Sequence, residues 1–215
     1  MAQTSAGRGL FFSFEGIDGS GKSTQARLLH SALAARGLDT VLTREPGGSP
    51  GAEEIRRLVL EGRADRWSPQ SEMLLFTAAR RDHLEKTVLP ALDRGAVVIT
   101  DRFADSTRAY QGIARDGGAE LRGLVDDLHR LMIGIEPDLT FLIDIPAETG
   151  LARAVARETA ELRFEGMGLD LQRRMRAGFL DLAARDPDRF ACFDGDRDTD
   201  RIAADVLARA LERLA

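Results

Sequence analysis

The chain has 215 residues, enough for one domain with a small lid and a squeeze for two. Its apolar share of 43% and charged share of 30% are those of a soluble globular chain, and no run approaches the roughly 20 apolar residues of a membrane span. Thirty Lys and Arg against 35 Asp and Glu leave a net charge of −5, which argues against a general nucleic-acid binder. One cysteine, Cys192, excludes an internal disulfide framework and a cysteine-built zinc site. His30, His83 and His129 have no metal-ligand spacing and are expected to be solvated or half-packed. The opening Met1–Gly9 stretch lacks an apolar signal core and is expected to be a loose tail, with residues 10–215 forming a single domain in a reducing, cytoplasmic setting.

Short apolar runs alternate with helical stretches along the chain. Leu10 to Phe14 reads as a buried strand, Gly16 to Gly21 as a glycine-rich turn, and Lys22 to Arg36 as a helix stopped by Gly37. Thr40 to Thr43 is a second strand, followed by a loop at Glu45-Pro46-Gly47-Gly48. Helices are expected near 51–61 and 70–94, with Pro90 kinking or resetting the second. Ala96 to Thr100 and Leu139 to Ile143 are further strands, separated by a helical pattern over roughly 119–134. Helices near 147–159 and 169–185, a short fifth strand at Phe190 to Phe193 and a closing helix near 199–214 complete the chain. This alternation predicts an α/β fold, a five-stranded parallel sheet with helices on both faces. Ligands of such sheets bind beyond the carboxyl ends of the strands.

After the first strand comes Gly16-Ile17-Asp18-Gly19-Ser20-Gly21-Lys22-Ser23, with Thr24 next, which fits G-x-x-x-x-G-K-[ST] between a strand and a helix. Glycines let backbone N–H groups wrap a phosphate chain, and the following helix directs its positive end at the same phosphates. Lys22 supplies a point charge, and the Ser23 hydroxyl suits Mg²⁺. The chain contains no asparagine, so the Asn-Lys-x-Asp element that reads guanine in regulatory GTPases is absent. A small kinase acting on a second small molecule fits the length best.

Further signals are Thr43-Arg44-Glu45-Pro46-Gly47-Gly48 after the second strand, Asp101-Arg102-Phe103 after the third, Phe76 to Arg80 within a long helix, and Ser106 to Gln111 opening another. With the E-G-x-[DE]-G-[SA]-G-K-[ST]-T motif, T-R-E-P-G-G, A-A-R, D-R-[FY], S-x-x-A-Y-Q and P-D-L-T in order, the chain resembles bacterial thymidylate kinases over nearly its whole length after residue 9. The resemblance implies the P-loop nucleoside monophosphate kinase fold with a lid near 158–168, and transfer of phosphate from ATP with Mg²⁺ to dTMP, in a homodimer. Arg102 would grip the acceptor phosphate, a task suited to a bidentate guanidinium, and Asp101 would serve Mg²⁺. Arg44 and Arg56 would add charge near that phosphate, and Glu45 would order it through its arginines or water.

On the resemblance, Phe76 stacks on thymine and Arg80, four residues on and on the same helix face, points at a base carbonyl. Thr107, with Ser106 and Gln111, would bond the base edge. Tyr110 would lie under the sugar and Asp18 take the 3′-hydroxyl. Gly19 stands where some eukaryotic members carry an arginine, so the catalytic arginine is expected in the lid, Glu161-Leu162-Arg163-Phe164-Glu165. There Leu162 replaces the usual aspartate, Arg163 is the expected transition-state clamp, and Arg153 and Arg157 on the preceding helix are helpers or adenine-side contacts. Two other readings compete: another nucleoside monophosphate kinase, and a nucleotide-binding regulator without turnover.

Overall fold

The computed structural model describes residues 8–63, 66–114, 118–156 and 168–215. Five parallel strands, β1 (Phe11–Glu15), β2 (Thr40–Arg44), β3 (Val97–Asp101), β4 (Leu139–Asp144) and β5 (Phe190–Asp194), form one sheet in the order β2-β3-β1-β4-β5. Each begins within one residue of its sequence expectation and runs one residue further. The added residues Glu15, Arg44, Asp101, Asp144 and Asp194 are all charged, and they sit at the carboxyl rim of the sheet, the side on which ligands of such sheets bind. The order reverses between β1 and β3, the switch point of the sheet.

Side chains alternate between the two faces. Phe12 and Phe14 join Val97, Ile99, Phe141 and Ile143 in a cluster closed by α1 (Lys22–Ala34) and the final helix α9 (Thr199–Leu214), through Leu29, Leu33, Ile202 and Val206. Phe14 stacks on Phe141 with ring centroids 4.8 Å apart. Phe11 points to the other face, against Phe103, Val98, Leu84 and Leu92. That second face also carries Ser13, whose hydroxyl bonds Thr140 Oγ1 at 2.8 Å, and Glu15.

Helices α2 (Pro50–Leu60) and α3 (Pro69–His83) both start with proline, where the missing N–H costs nothing. Ser68 caps α3 by accepting from the Ser71 N–H. Pro90 resets this helix as expected, and the form is specific. The turn Leu84–Val88 is π-helical, with the Leu89 N–H donating to Leu84 O, before α4 (Leu89–Asp93) begins. The short α5 (Ala104–Thr107) runs into a second π-helical segment, Arg108–Ala114. Then come α6 (Gly118–Leu128), α7 (Ala147–Val155) and α8 (Gly168–Arg185), the last packing Leu171, Met175 and Phe179 over the end of β4. Gly9, at the end of the expected tail, is already packed: its N–H donates to Leu92 O at 2.8 Å. Residues 1–7 lie outside the described residues, as does the stretch expected as a lid, near 158–168, except Gly168.

Candidate active site

A cavity of about 820 Å³ opens at the switch point, lined from the turn after β1, the ends of β2 and β3, and α1, α2, α3, α5 and α8. Its floor is the turn between β1 and α1, where Gly16, Gly19 and Gly21 have φ of 144°, 80° and 96°. Lys22 is buried, its Nζ 3.3 Å from Ile17 O and 3.6 Å from Asp18 Oδ1. Burial and the neighbouring Arg102 push the Lys22 ammonium down, against the pull of Asp18, Asp101 and Glu15. Ser23 lines the cavity from the first turn of α1.

Arg102 follows β3 in the left-handed region, φ 72°, the one positive value outside glycine among the described residues. Such a conformation costs about 1–3 kcal/mol and persists only where the surroundings fix it. Here its N–H donates to Phe14 O and its carbonyl accepts from Thr100 Oγ1 at 2.8 Å. Its guanidinium reaches Asp18 Oδ1 at 2.5 Å, Ser106 Oγ at 2.9 Å and Gly16 O at 3.2 Å. Burial alone would raise Asp18; Arg102 and Lys22 outweigh it and hold that carboxyl at about 2. Behind Arg102, the fully buried Glu15 accepts from Phe103 N–H at 2.7 Å, Ser106 N–H at 3.3 Å and Ser106 Oγ at 2.6 Å. Burial and the charge of Asp105 push Glu15 up to about 7, in spite of Arg102 and these donors.

A second cluster lies between β2, α3 and α5. Arg80 donates from Nε to Glu45 Oε2 at 2.7 Å and from Nη2 to Thr107 Oγ1 at 3.0 Å and Phe103 O at 3.1 Å. The other oxygen of Glu45 meets His83 Nδ1 at 3.0 Å, and His83 Nε2 meets Thr43 Oγ1 at 2.7 Å. Burial would raise Glu45; Arg80 and His83 overcome it and hold the carboxyl below its ordinary range. Phe76, Tyr110 and Gln111 line the same cavity, and Gln111 Nε2 is buried with no partner among the described residues.

The cavity therefore gathers Asp18, Arg44, Glu45, Arg56, Phe76, Arg80, Asp101, Arg102, Ser106, Thr107, Tyr110 and Gln111 with Lys22 and Ser23. Within the chain itself these residues make the following contacts. Ser106 Oγ accepts from Arg102 and donates to Glu15. Glu45 is committed to Arg80 and His83. Arg44 pairs with Glu53 at 3.2 Å, and Arg56 donates to Pro46 O at 2.6 Å. Arg153 turns to the loop after β5, at 2.8 Å from Asp196 Oδ1. Arg157, Arg163 and Glu165 lie outside the described residues.

Three contributors escaped the sequence reading. Glu15 directly precedes Gly16, inside the motif, yet only the tertiary structure turns it under Phe103 and Ser106. His83, three residues after Arg80, is fully buried rather than half-packed because Glu45 and Thr43 satisfy both ring nitrogens. Gln172 reaches Asp18 from α8, with no local signal in the sequence.

The donor set suits a divalent cation held jointly with phosphates. Asp101 Oδ1 is buried with no hydrogen-bond partner among the described residues, and Ser23 lines the same cavity. No group of three or more His, Cys, Asp and Glu among those residues could hold a metal by itself. That is the pattern of Mg²⁺ bound through one or two protein ligands plus substrate phosphates.

Comparison with known proteins agrees with this geometry. The family model for thymidylate kinase matches residues 14–206. A thymidylate kinase of Ruegeria pomeroyi is 66% identical over 209 residues, covering 97% of this chain and 98% of the relative. One from Caulobacter vibrioides is 52% identical over 207 residues, with 96% and 98% covered. The crystal structure of thymidylate kinase from Ehrlichia chaffeensis superposes with a TM-score of 0.76 at 34% identity, covering 95% of this chain and 99% of that one. A glycine-rich G-x-x-x-x-G-K-S turn at the switch point, an arginine-lined cavity beside it and this level of identity across almost the full length lead to one conclusion: the chain belongs to the thymidylate kinase family.

Proposed function

We infer that this chain transfers the γ-phosphoryl group of ATP to dTMP, giving dTDP and ADP. An oxygen of the dTMP phosphate attacks the γ-phosphorus in line as the bond to the β-phosphate oxygen breaks. The acceptor oxygen is already ionised at neutral pH, so no strong general base is required and positioning and charge neutralisation carry the step. The observation that carries the reading is that one cavity joins the cradle of Lys22 and Ser23 to an enclosed arginine, Arg80, flanked by Phe76, Thr107 and Gln111.

In this reading the backbone of residues 16–24 wraps the ATP phosphates, with Lys22 at the β- and γ-phosphates. Arg102 leaves part of its contact with Asp18 to take the acceptor phosphate, Arg44 and Arg56 add charge, and Asp18 turns to the 3′-hydroxyl. Phe76 stacks on thymine, Arg80 and Thr107 with Gln111 read its polar edge, and Tyr110 closes on the sugar. Ser23 and Asp101 would hold Mg²⁺, which would neutralise phosphate charge when bound. Arg163 would clamp the moving group from the lid, excluding water as it closes. A homodimer in the cytoplasm, without nucleic-acid or membrane partners, completes the proposal. The acidic net charge and single cysteine support it, and no helix among the described residues is long and apolar enough to cross a membrane.

The test is ADP release from ATP and Mg²⁺ with dTMP, dUMP, dCMP, dGMP and UMP offered one at a time. Strong stimulation by dTMP with a weak response to UMP is expected. Preference for another monophosphate would overturn the base and sugar contacts, and no stimulation by any would overturn the reaction itself.

A further inference from the structure

We propose that His83 is a positioning residue for nucleobase recognition, holding Glu45 so that Arg80 presents one guanidinium nitrogen to the base. The inference rests on the reading above that the base lies against Arg80. Among the described residues, Arg80 Nε is bound to Glu45, and Nη2 to Phe103 O and Thr107 Oγ1, while Nη1 has no partner. The guanidinium is planar, so fixing Nε and Nη2 also fixes the direction of Nη1. That leaves one polar donor of a buried, cavity-lining arginine for a ligand's acceptor.

The hold on Arg80 is only as firm as Glu45. This carboxylate follows β2 at the start of a loop, and its second oxygen is anchored by His83 Nδ1 at 3.0 Å. With Nδ1 directed at the carboxylate, the ring's other nitrogen, Nε2, is fixed on the Thr43 hydroxyl at 2.7 Å. The relay thus runs Thr43–His83–Glu45–Arg80–Thr107 and ties the end of β2 to α3 and α5. It is packed from outside as well. A Cβ at Gly48, whose φ is 85°, would sit 2.4 Å from Thr43 Oγ1 and 2.5 Å from His83 Nε2, so backbone lies directly on the relay. Thr87 Oγ1 donates to Gly48 O at 2.7 Å and holds that backbone in place. His83 touches none of the phosphate cradle, so its influence belongs to the acceptor and not to ATP.

The experiment compares steady-state kinetics of His83→Leu, His83→Asn, His83→Gln and Arg80→Gln with the parent enzyme, varying dTMP and ATP separately. Loss of one charge-assisted, buried hydrogen bond is expected to raise the KM for dTMP in His83→Leu about tenfold, with the KM for ATP within about twofold. His83→Asn keeps a donor where Nδ1 stands and restores the KM for dTMP, whereas His83→Gln places its amide toward Thr43 and does not. The Asn and Gln pair decides the matter if the leucine variant fails to fold. Parallel rises in both KM values, a lowered melting temperature with unchanged KM for dTMP, or failure of Asn to restore would overturn the positioning role. If Arg80→Gln leaves the KM for dTMP unchanged, the placement of the base against Arg80 falls; if Arg80→Gln raises it and His83→Leu does not, only the role of His83 falls.

Discussion

Arg102 combines a left-handed backbone with a guanidinium shared among Asp18, Ser106 and Gly16, so its side chain is aimed before any ligand arrives. Preorganised charge of this kind is where phosphoryl transfer gains most. Arg102→Ala is expected to lower kcat/KM for dTMP by roughly 10²–10³-fold, with a weaker apparent affinity for dTMP as well as a slower rate. A titration calorimetry experiment giving parental dTMP affinity would remove Arg102 from the acceptor site. Glu15 beneath it makes a pH prediction. Its carboxyl is raised from an ordinary 4.5 to about 7, so between those values the folded chain holds a proton that the unfolded chain has lost. The associated stability is complete below pH 4.5 and is lost as pH rises through 7. Glu15→Gln does not titrate and should show a flatter dependence of the urea midpoint across that window; superimposable profiles for parent and variant would contradict it.

At the scale of elements, α7 and the phosphate-binding turn meet backbone to backbone. A Cβ at Gly19 would lie 2.1 Å from Gly150 O, and one at Gly150 only 2.7 Å from Asp18 O and 2.8 Å from Ile17 Cδ1. Gly19 therefore has no room for a side chain while α7 stands where it does, which fits the absence of a catalytic arginine in this turn. Two effects oppose each other in Gly150→Ala. Helix propensity favours alanine by about 1 kcal/mol, while forcing a methyl into packed backbone costs about 1–3 kcal/mol. A contact of 2.7 Å with a carbonyl oxygen makes the steric cost the larger. The variant should be destabilised and its KM for ATP should rise more than that for dTMP. A melting temperature above the parent would show that the turn yields freely. The helix α3 likewise carries the proposed acceptor side, with Phe76, Arg80 and His83 at spacings of four and three on one face.

Across the whole molecule, a buried ionic network lies behind the cavity. Asp105 is fully buried and accepts from Arg189 at 2.6 and 3.2 Å and from Arg108 at 2.9 Å. Arg108 continues to Glu136, which also meets His129 Nε2 at 2.9 Å. Together these join α5, the chain before β5 and the segment entering β4. Removing one partner of a buried pair strands the others, so Asp105→Ala is expected to cost about 3–5 kcal/mol. Domains of this kind have about 5–15 kcal/mol in total, so urea unfolding should register the loss plainly. A change below about 1 kcal/mol would mean that water replaces the carboxylate.

The local and periodic features were legible in the sequence. Five strands were readable as short apolar runs, the phosphate cradle as contiguous residues 16–24, and the face shared by Phe76 and Arg80 as a four-residue spacing. These depend on neighbours along the chain and on the fixed geometry of strand and helix. The family motifs marked the cavity-lining residues, some directly after a strand end, as at Arg44–Glu45 and Asp101–Arg102, and others on helices, as at Phe76–Arg80 and Thr107–Gln111. What only the tertiary structure decided is who touches whom across that cavity. Glu15 meets Phe103 at a separation of 88 residues, His83 meets Glu45 at 38, and the left-handed φ of Arg102 is held by Phe14 of β1 and Thr100 of β3. A buried histidine and a solvated one have the same letter; burial and the partners supplied by distant segments make one a structural link and the other a surface group.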